Sequence, residues 1–350
     1  MDIRETIEKL NQRENLSRDE ASAVMERLLS GSTPDETIAD LLVALRDKGE
    51  TAEELAGFAR VMRARAAEVL SSAGVNARRL AEAGLLLDTC GTGGDGMGLF
   101  NVSTATALVA AAAGARVAKH GNRSISSRCG SADVLEALGV AIDLPIKDIP
   151  ECLEKTGIVF LFAPRLHVAM KHVMNARRSL KTKSVFNLLG PLTNPLGASM
   201  HLTGVYDRRR TGMIAQALAE AGAARALVVA SYDGMDEISI SAPTQLSEAG
   251  NGRVDTRDIE PEGFGFSRVS AQALSGGDSV TNARILRRIL EGRLGPHRDM
   301  VLVNASAALV AAGMAGDFLK GVEIAREAID SRAALHTLSA LVDFTQQHRQ

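Results

Sequence analysis

Apolar residues recur at helical spacing over the first 70 positions and then give way to short β-branched runs. Ile7 and Leu10, then Ala23, Val24, Leu28 and Leu29, then Leu55, Phe58, Ala59 and Met62 each mark one side of a helix, so residues 2 to about 70 predict four helices without a strand. Ser17 starts the second, with Asp19 and Glu20 in a first turn whose dipole favours acids. Thr33-Pro34 opens the third, with proline at a tolerated first-turn position, and Thr51 precedes the fourth. From about residue 80, strand candidates at 85–89, 116–118, 158–162, 184–187, 202–206 and 226–230 alternate with helical stretches. Segments 238–240, 252–255 and 264–270 read as further, antiparallel strands, and four helices close the chain from Val280. The expected class is α/β: a small N-terminal all-helical domain, and a large α/β domain with a mostly parallel central sheet flanked by helices. Residues 1–72, completed by a basic helical insertion at about 165–182, form the first; 73–164 and 183–350 form the second.

The first strand candidate empties into Gly91-Thr92-Gly93-Gly94-Asp95-Gly96. Successive N–H groups in so glycine-rich a loop make a nest for phosphate oxygens, because no Cβ blocks close approach. Asp95 would repel a bare phosphate, which points to a ligand with a polyhydroxylated part or a cation beside its phosphates. The stretch also spells the dinucleotide fingerprint, which needs an acid about 20 residues on to hold a ribose hydroxyl. The next strand candidate ends instead in Lys119-His120-Gly121-Asn122-Arg123, cations that suit phosphate, and the dinucleotide reading falls away.

Three further blocks share this strand-end placement. Asn101-Val102-Ser103-Thr104 opens an alanine-rich helix; alone it reads as a cap, but beside the glycine loop it reads as an anion site. Lys119 to Ser127 sets two certain cations among small donors at a strand's carboxyl end, where α/β ligands bind. A few charge-assisted contacts there, roughly 1.5–3 kcal/mol each, hold a phosphorylated substrate. Asp233-Gly234-Met235-Asp236-Glu237 follows the 226–230 candidate, and adjacent carboxylates are suitable ligands for Mg²⁺; an acidic surface turn is the plain alternative. Within the insertion, Arg177 is able to pair bidentately with a carboxylate or simply to face solvent, and Asp133 is readable as only a helix cap.

Composition narrows the classes. With 32 glycines, 2 tyrosines and no tryptophan, the 350-residue chain suits a glycine-rich α/β enzyme better than a reader of stacked bases. A formal charge of −2 offers no global attraction to nucleic acid or anionic lipid. Cys90, Cys129 and Cys152 are sparse and odd in number, as in reduced cytosolic proteins, and the charged N-terminus is no signal peptide. The longest apolar run, 105–115, is too short to cross a bilayer. The expectation is a cytoplasmic protein without nucleic-acid or membrane partners.

Taken in order, these blocks, together with 131–139, Ala163-Pro164 with His167, and 186–195, resemble the anthranilate phosphoribosyltransferase family over nearly the whole chain. The resemblance implies a homodimer formed through the helical domain, and a large domain shared with pyrimidine nucleoside phosphorylases. It implies transfer of phosphoribose from phosphoribosyl pyrophosphate to the amine of anthranilate, in tryptophan biosynthesis. By the same resemblance, Gly91, Gly94, Asp95, Asn101, Val102, Ser103, Thr104, Lys119, His120, Gly121, Asn122, Arg123, Ser124, Ile125, Ser126, Ser127 and Ser131 hold the donor. Ser103, Asp236 and Glu237 bind Mg²⁺, two ions per subunit and partly through water, while Gly91, Asn122, His167 and Arg177 meet anthranilate. No side chain is assigned as acid or base, since an aromatic amine is already neutral; Lys119, Arg123 and Arg177 act by charge and orientation, with His120 as a late proton acceptor.

Several positions depart from the family pattern: Leu99 for Thr or Ser, Cys129 for Ser, Met174-Asn175-Ala176 for a Gly-Pro-Val-like turn, Lys181 and Lys183 for Gly and Arg, and Ala230-Ser231-Tyr232 for a His-Gly approach to the acids. Two competing readings are nucleoside phosphorolysis on the same fold, and a non-catalytic nucleic-acid binder using Arg177, Arg178, Lys181, Lys183 and Arg208 to Arg210.

Overall fold

Helix starts in the N-terminal quarter are set by short polar side chains that take over orphan N–H groups. The computed structural model describes residues 2–124, 128–180 and 182–349. Asp2 caps α1 (Ile3–Asn11), and capping boxes Ser17/Glu20 and Thr51/Glu54 open α2 (Arg18–Leu29) and α4 (Ala52–Ser72). Pro34 stands one position before α3 (Asp35–Lys48), as its extended cap residue rather than inside the first turn. Glu54 also accepts from Leu16 N at 2.8 Å and pairs with Lys48 Nζ at 3.0 Å, both side chains being buried.

After a short α5 (Ala77–Glu82), which the apolar pattern does not mark, strands and helices alternate. The order is β1 (Leu86–Asp88), α6 (Val102–Ala112), β2 (Arg116–Gly121), α7 (Ser131–Ala137), α8 (Ile149–Thr156) and β3 (Ile158–Phe162). The insertion is a short α9 (Ala163–Leu166), a 3₁₀ turn at Val168–His172 and α10 (Met174–Leu180), so it is broken rather than one helix. Then come α11 (Phe186–Leu189), β4 (Met200–Gly204), α12 (Thr211–Glu220), β5 (Arg225–Ser231), β6 (Thr244–Gly250) and β7 (Arg253–Ile259). Helices α13 (Ser279–Leu290), α14 (Pro296–Ala311), α15 (Phe318–Asp330) and α16 (Ala333–Gln347) finish the chain.

Three strand expectations are corrected. Segment 184–187 turns into α11, because Asn187 Oδ1 accepts from Ser184 N at 3.0 Å and turns the chain into a helical start. Residues 238–240 pair with no strand among the described residues; the N–H and C=O of Ile238 go instead to the Asn304 side chain. Segment 264–270 follows a 3₁₀ turn at Pro261–Phe264, with Phe264 stacked on Phe318 at 4.6 Å. Strand β6, unmarked by alternation, takes the antiparallel place beside β5.

The sheet runs β3-β2-β1-β4-β5-β6-β7, parallel from β3 to β5 and antiparallel beyond. The chain leaves its centre in both directions from β1 and β4, and connections diverging at such a switch point open a crevice at the strands' carboxyl ends. Alternation along β5 divides the core: Leu227 and Val229 join the cluster under α6 and α13 to α16, while Ala226, Val228 and Ala230 face α12 and the four N-terminal helices. Val173 and Ala176 of the insertion belong to the second cluster. Arg18–Glu220 at 2.7 Å, Arg210–Glu50 at 2.8 Å and Arg63 Nη1 on Ala221 O at 2.6 Å fasten the helical bundle to the α12 region. Among the described residues, no helix is long and apolar enough to cross a membrane.

Candidate active site

Carboxyl ends of β1, β2, β4 and β5 share one edge of the sheet, and a cavity of about 360 Å³ opens there. The loop after β1 lies along it, with Gly93, Gly94 and Gly96 at φ of +62°, +80° and +74°, angles that disfavour any side chain. Thr92 N donates to Gly204 O at 2.8 Å, pinning this loop to the end of β4. From β2, the buried Lys119 ammonium reaches Thr89 O at 3.3 Å, Thr89 Oγ1 at 3.2 Å and Ser103 Oγ at 3.3 Å. Burial lowers its pKa, while the charges of Asp88, Cys90 and Glu237 oppose that shift.

Asn101 stands at the start of α6 but does not cap it. Its amide donates to Cys129 O at 3.2 Å and its oxygen accepts from Asn282 of α13 at 2.9 Å, while the Ser103 N–H is turned to the Glu237 carboxylate. The helix start therefore lies at the cavity with no side-chain cap and with its Ser103 N–H directed to an acid. Asp133 is a cap, as the plain reading has it, and also folds the cationic loop: it accepts from Gly130 N at 2.8 Å and Ser124 N at 3.1 Å. Arg123 lines the cavity, but its guanidinium is engaged by Asp133 at 3.1 Å and by Glu136.

Opposite the lysine stand the acids after β5. They approach because β4 ends in Gly204, where a Cβ would lie 1.5 Å from the carbonyl oxygen of Asp236. Asp236 is pushed up to about 7 by burial and by Asp95, whose carboxylate shares a hydrogen bond with it. Glu237 is raised well above its ordinary value by burial and by Asp236, against the pull of Lys119. Asp236 and Glu237, crowded with the neighbouring Asp95, are a set of hard oxygen donors, and they fit Mg²⁺.

On the far side, Arg177 lies over the Phe186 ring at 5.0 Å, with Nη1 3.9 Å from Met174 Sδ. It has no carboxylate partner among the described residues, and burial lowers its pKa. The His120 and His167 rings meet edge to face at 5.1 Å, and the Nε2 atom of each has no hydrogen-bond partner among the described residues. Burial pushes them down to about 3 and about 4, so both are neutral at pH 7. Rings of such low proton affinity are weak bases.

Of the residues expected to hold the donor, the metal or anthranilate, every described one lines this cavity except Thr104 and His167. Thr104 is buried in α6 and His167 lies behind His120. Ile125, Ser126, Ser127 and Lys181 fall outside the described residues. Gly277 at the cavity wall, and Asn282, which orients Asn101, carry no signal in the sequence. Of the departures, Leu99 and the buried Cys129 line the wall, and Lys183 donates to Gly94 O at 2.8 Å while resting 3.3 Å from the centre of the Tyr206 ring. The basic surface of the nucleic-acid reading is largely spent: Arg208 covers Tyr232, Arg209 pairs with Asp207 and Arg210 with Glu50.

Residues 83–335 match the a/b domain of a glycosyl transferase family, and residues 4–66 match that family's helical bundle domain. Anthranilate phosphoribosyltransferase from Syntrophobacter fumaroxidans is 49% identical over 346 residues, 99% of this chain and 100% of the relative. The enzyme from Desulfatibacillum aliphaticivorans is 49% identical over 344 residues, 98% of this chain and 99% of its own length. Among solved structures, anthranilate phosphoribosyltransferase from Thermus thermophilus superposes with a TM-score of 0.87 at 41% identity, covering 99% of this chain and 100% of that one. The Saccharomyces cerevisiae enzyme in complex with PRPP and Mg superposes with a TM-score of 0.84 at 26% identity, covering 99% and 98%. With the site's geometry and full-length identities of this size, the chain belongs to the anthranilate phosphoribosyltransferase family.

Proposed function

We propose that the protein transfers phosphoribose from phosphoribosyl pyrophosphate to the amine of anthranilate, releasing pyrophosphate. The observation that carries the reading is the meeting, in one cavity, of a glycine-rich loop, a buried ammonium, a carboxylate cluster and an Arg177 guanidinium that lacks a carboxylate among the described residues. Loss of pyrophosphate from the ribose carbon builds oxocarbenium character, so the leaving group must be neutralised where it forms. Lys119, Asn101 and the N–H groups of 91–96 supply that field, with Arg123 available once it exchanges its bonds to Asp133 and Glu136. Asp236, Glu237, the neighbouring Asp95 and Ser103 are the residues we assign to Mg²⁺, with two ions per subunit. Bound there, Mg²⁺ supplies positive charge against the diphosphate oxygens. Arg177 takes the acceptor's carboxylate, and Asn122 and Gly91 flank its amine, so the nucleophile is held in line. His120 bounds that region as a neutral ring, with His167 packed behind it.

The Saccharomyces cerevisiae relative in complex with 4-fluoroanthranilate supports an aminobenzoate acceptor. We further assign residues 1–72 with 165–182 to a helical unit through which two copies of the chain dimerise, 73–164 and 183–350 to the donor-binding unit, and the protein to the cytoplasm. Incubation with phosphoribosyl pyrophosphate, Mg²⁺ and anthranilate is expected to quench anthranilate fluorescence in a Mg²⁺-dependent manner. Unquenched anthranilate, with the donor intact, would overturn the reading.

A further inference from the structure

Asp236 and Glu237 lie in the connection 232–243 between β5 and β6, which has no helix or strand of its own. Two fastenings hold it. The Asp233 carboxylate collects three hydroxyls: Ser231 on Oδ1, and Ser239 (2.7 Å) and Ser241 on Oδ2. Ser239 and Ser241 are joined at 3.0 Å, and Ser241 N donates to Ser239 Oγ at 2.8 Å. Residues on both sides of the acid pair are thus drawn to one carboxylate. On α14, the fully buried Asn304 forms the other fastening. Its Oδ1 accepts from Ile238 N at 3.0 Å and its Nδ2 donates to Ile238 O at 2.9 Å, a two-point grip on the residue directly after Glu237. A third bond, to Met300 O at 2.9 Å, orients that amide. Neither Asp233 nor Asn304 lines the cavity.

We infer that Asp233 and Asn304 are positioning residues that hold Asp236 and Glu237 together in the metal-free protein, so that the cation meets a site already assembled. The inference rests on the reading of Asp236 and Glu237 as Mg²⁺ ligands. Crowded carboxylates repel one another, and an untethered connection would relax by swinging them toward water. Mg²⁺ tolerates little departure from octahedral geometry, so such relaxation lowers affinity directly. Asp233 is suited to the task because an ionised carboxylate accepts several hydroxyls at once, and Asn304 because an amide matches both halves of a peptide group. Ser231, one of the three tethers, lies in the 230–232 stretch that departs from its family's pattern.

Mn²⁺ is the probe, its free concentration followed by paramagnetic resonance with phosphoribosyl pyrophosphate present. Asp233→Asn and Asn304→Ala are expected to raise the Mn²⁺ dissociation constant, and the Mg²⁺ half-saturation of turnover, by about 10-fold, the usual penalty for losing an outer support of a metal ligand. Donor KM at saturating Mg²⁺ should stay close to wild type. Ser239→Ala with Ser241→Ala is the milder variant that decides the matter if Asp233→Asn does not fold. A lowered melting temperature with unchanged Mn²⁺ affinity would overturn the inference, leaving both residues merely structural. Asp236→Asn is the reference: if it too leaves Mn²⁺ affinity unchanged, the ligand assignment itself has failed.

Discussion

The half-buried Arg177 guanidinium, stacked on Phe186 and with no carboxylate partner among the described residues, is open to an anionic group on a ligand. Its energetic weight follows from the cost of leaving a charge unpaired in a site that burial has already dried. Arg177→Ala is expected to raise the KM for anthranilate by about 10- to 100-fold, the range set by one or two charge-assisted hydrogen bonds, and to leave the KM for phosphoribosyl pyrophosphate unchanged. Steady-state kinetics with each substrate varied in turn would check this; equal loss on both would remove Arg177 from the acceptor side. Lys119 and Asp236 were legible in the sequence because charged side chains after strand ends have few structural uses, whereas Arg177 read equally as an exposed helix face and was placed only by the family resemblance. Asn282 and Asn304 were not, since an asparagine inside a helical stretch looks the same whether it faces water or grips a distant backbone.

Among the elements, the sheet's edge does the positioning. Gly204 ends β4 where the connection after β5 crosses it, and an added methyl group would occupy the place of the Asp236 carbonyl. Gly204→Ala should therefore displace the acid pair by about an ångström and lower kcat/KM by roughly 100-fold, as misplacements of that size do. Far-UV circular dichroism should remain that of the wild type; a lost fold, rather than a lost rate, would contradict the argument. Helix starts were readable because capping is local: Ser17, Thr51 and Asp133 each act on residues within a few positions. The misread segments are short apolar pieces, too brief for periodicity to speak: a side-chain turn from Asn187 to Ser184 decides 184–187, and Asn304, 66 positions away, decides 238–240.

At the level of the whole molecule, burial of ionisable groups writes a pH dependence into stability. Asp88 and Asp236 are raised to about 6 and about 7, and Glu237 is raised well above its usual range, so the folded protein takes up protons before the unfolded chain does. Acidification from pH 8 therefore adds stability. His120, His167 and His201 are depressed to about 3, 4 and 4, so below about 6.5 the unfolded chain binds protons that the folded one refuses. Each such histidine then removes about 1.4 kcal/mol per pH unit. Thermal melts without metal should peak near pH 6, and Mg²⁺ with the donor should add most stability on the alkaline side, where the carboxylates are ionised. A flat profile, or a metal effect greatest in acid, would contradict the burial described.

What the sequence by itself determined is local: where helices begin, where glycines force a nest, which charged residues follow strand ends, and through its ordered blocks the family. Those features depend on neighbours a few residues apart, so they survive reading in one dimension. Only the tertiary structure decided that the strand ends of β1, β2, β4 and β5 open on one cavity, that Gly204 lets Asp236 approach the donor loop, and that Asn304 and Asn282 orient the site from remote helices. Contacts of that kind join positions more than 30 residues apart. They exist because a buried polar group must find its partners within the protein, a constraint that does not appear until the chain is packed.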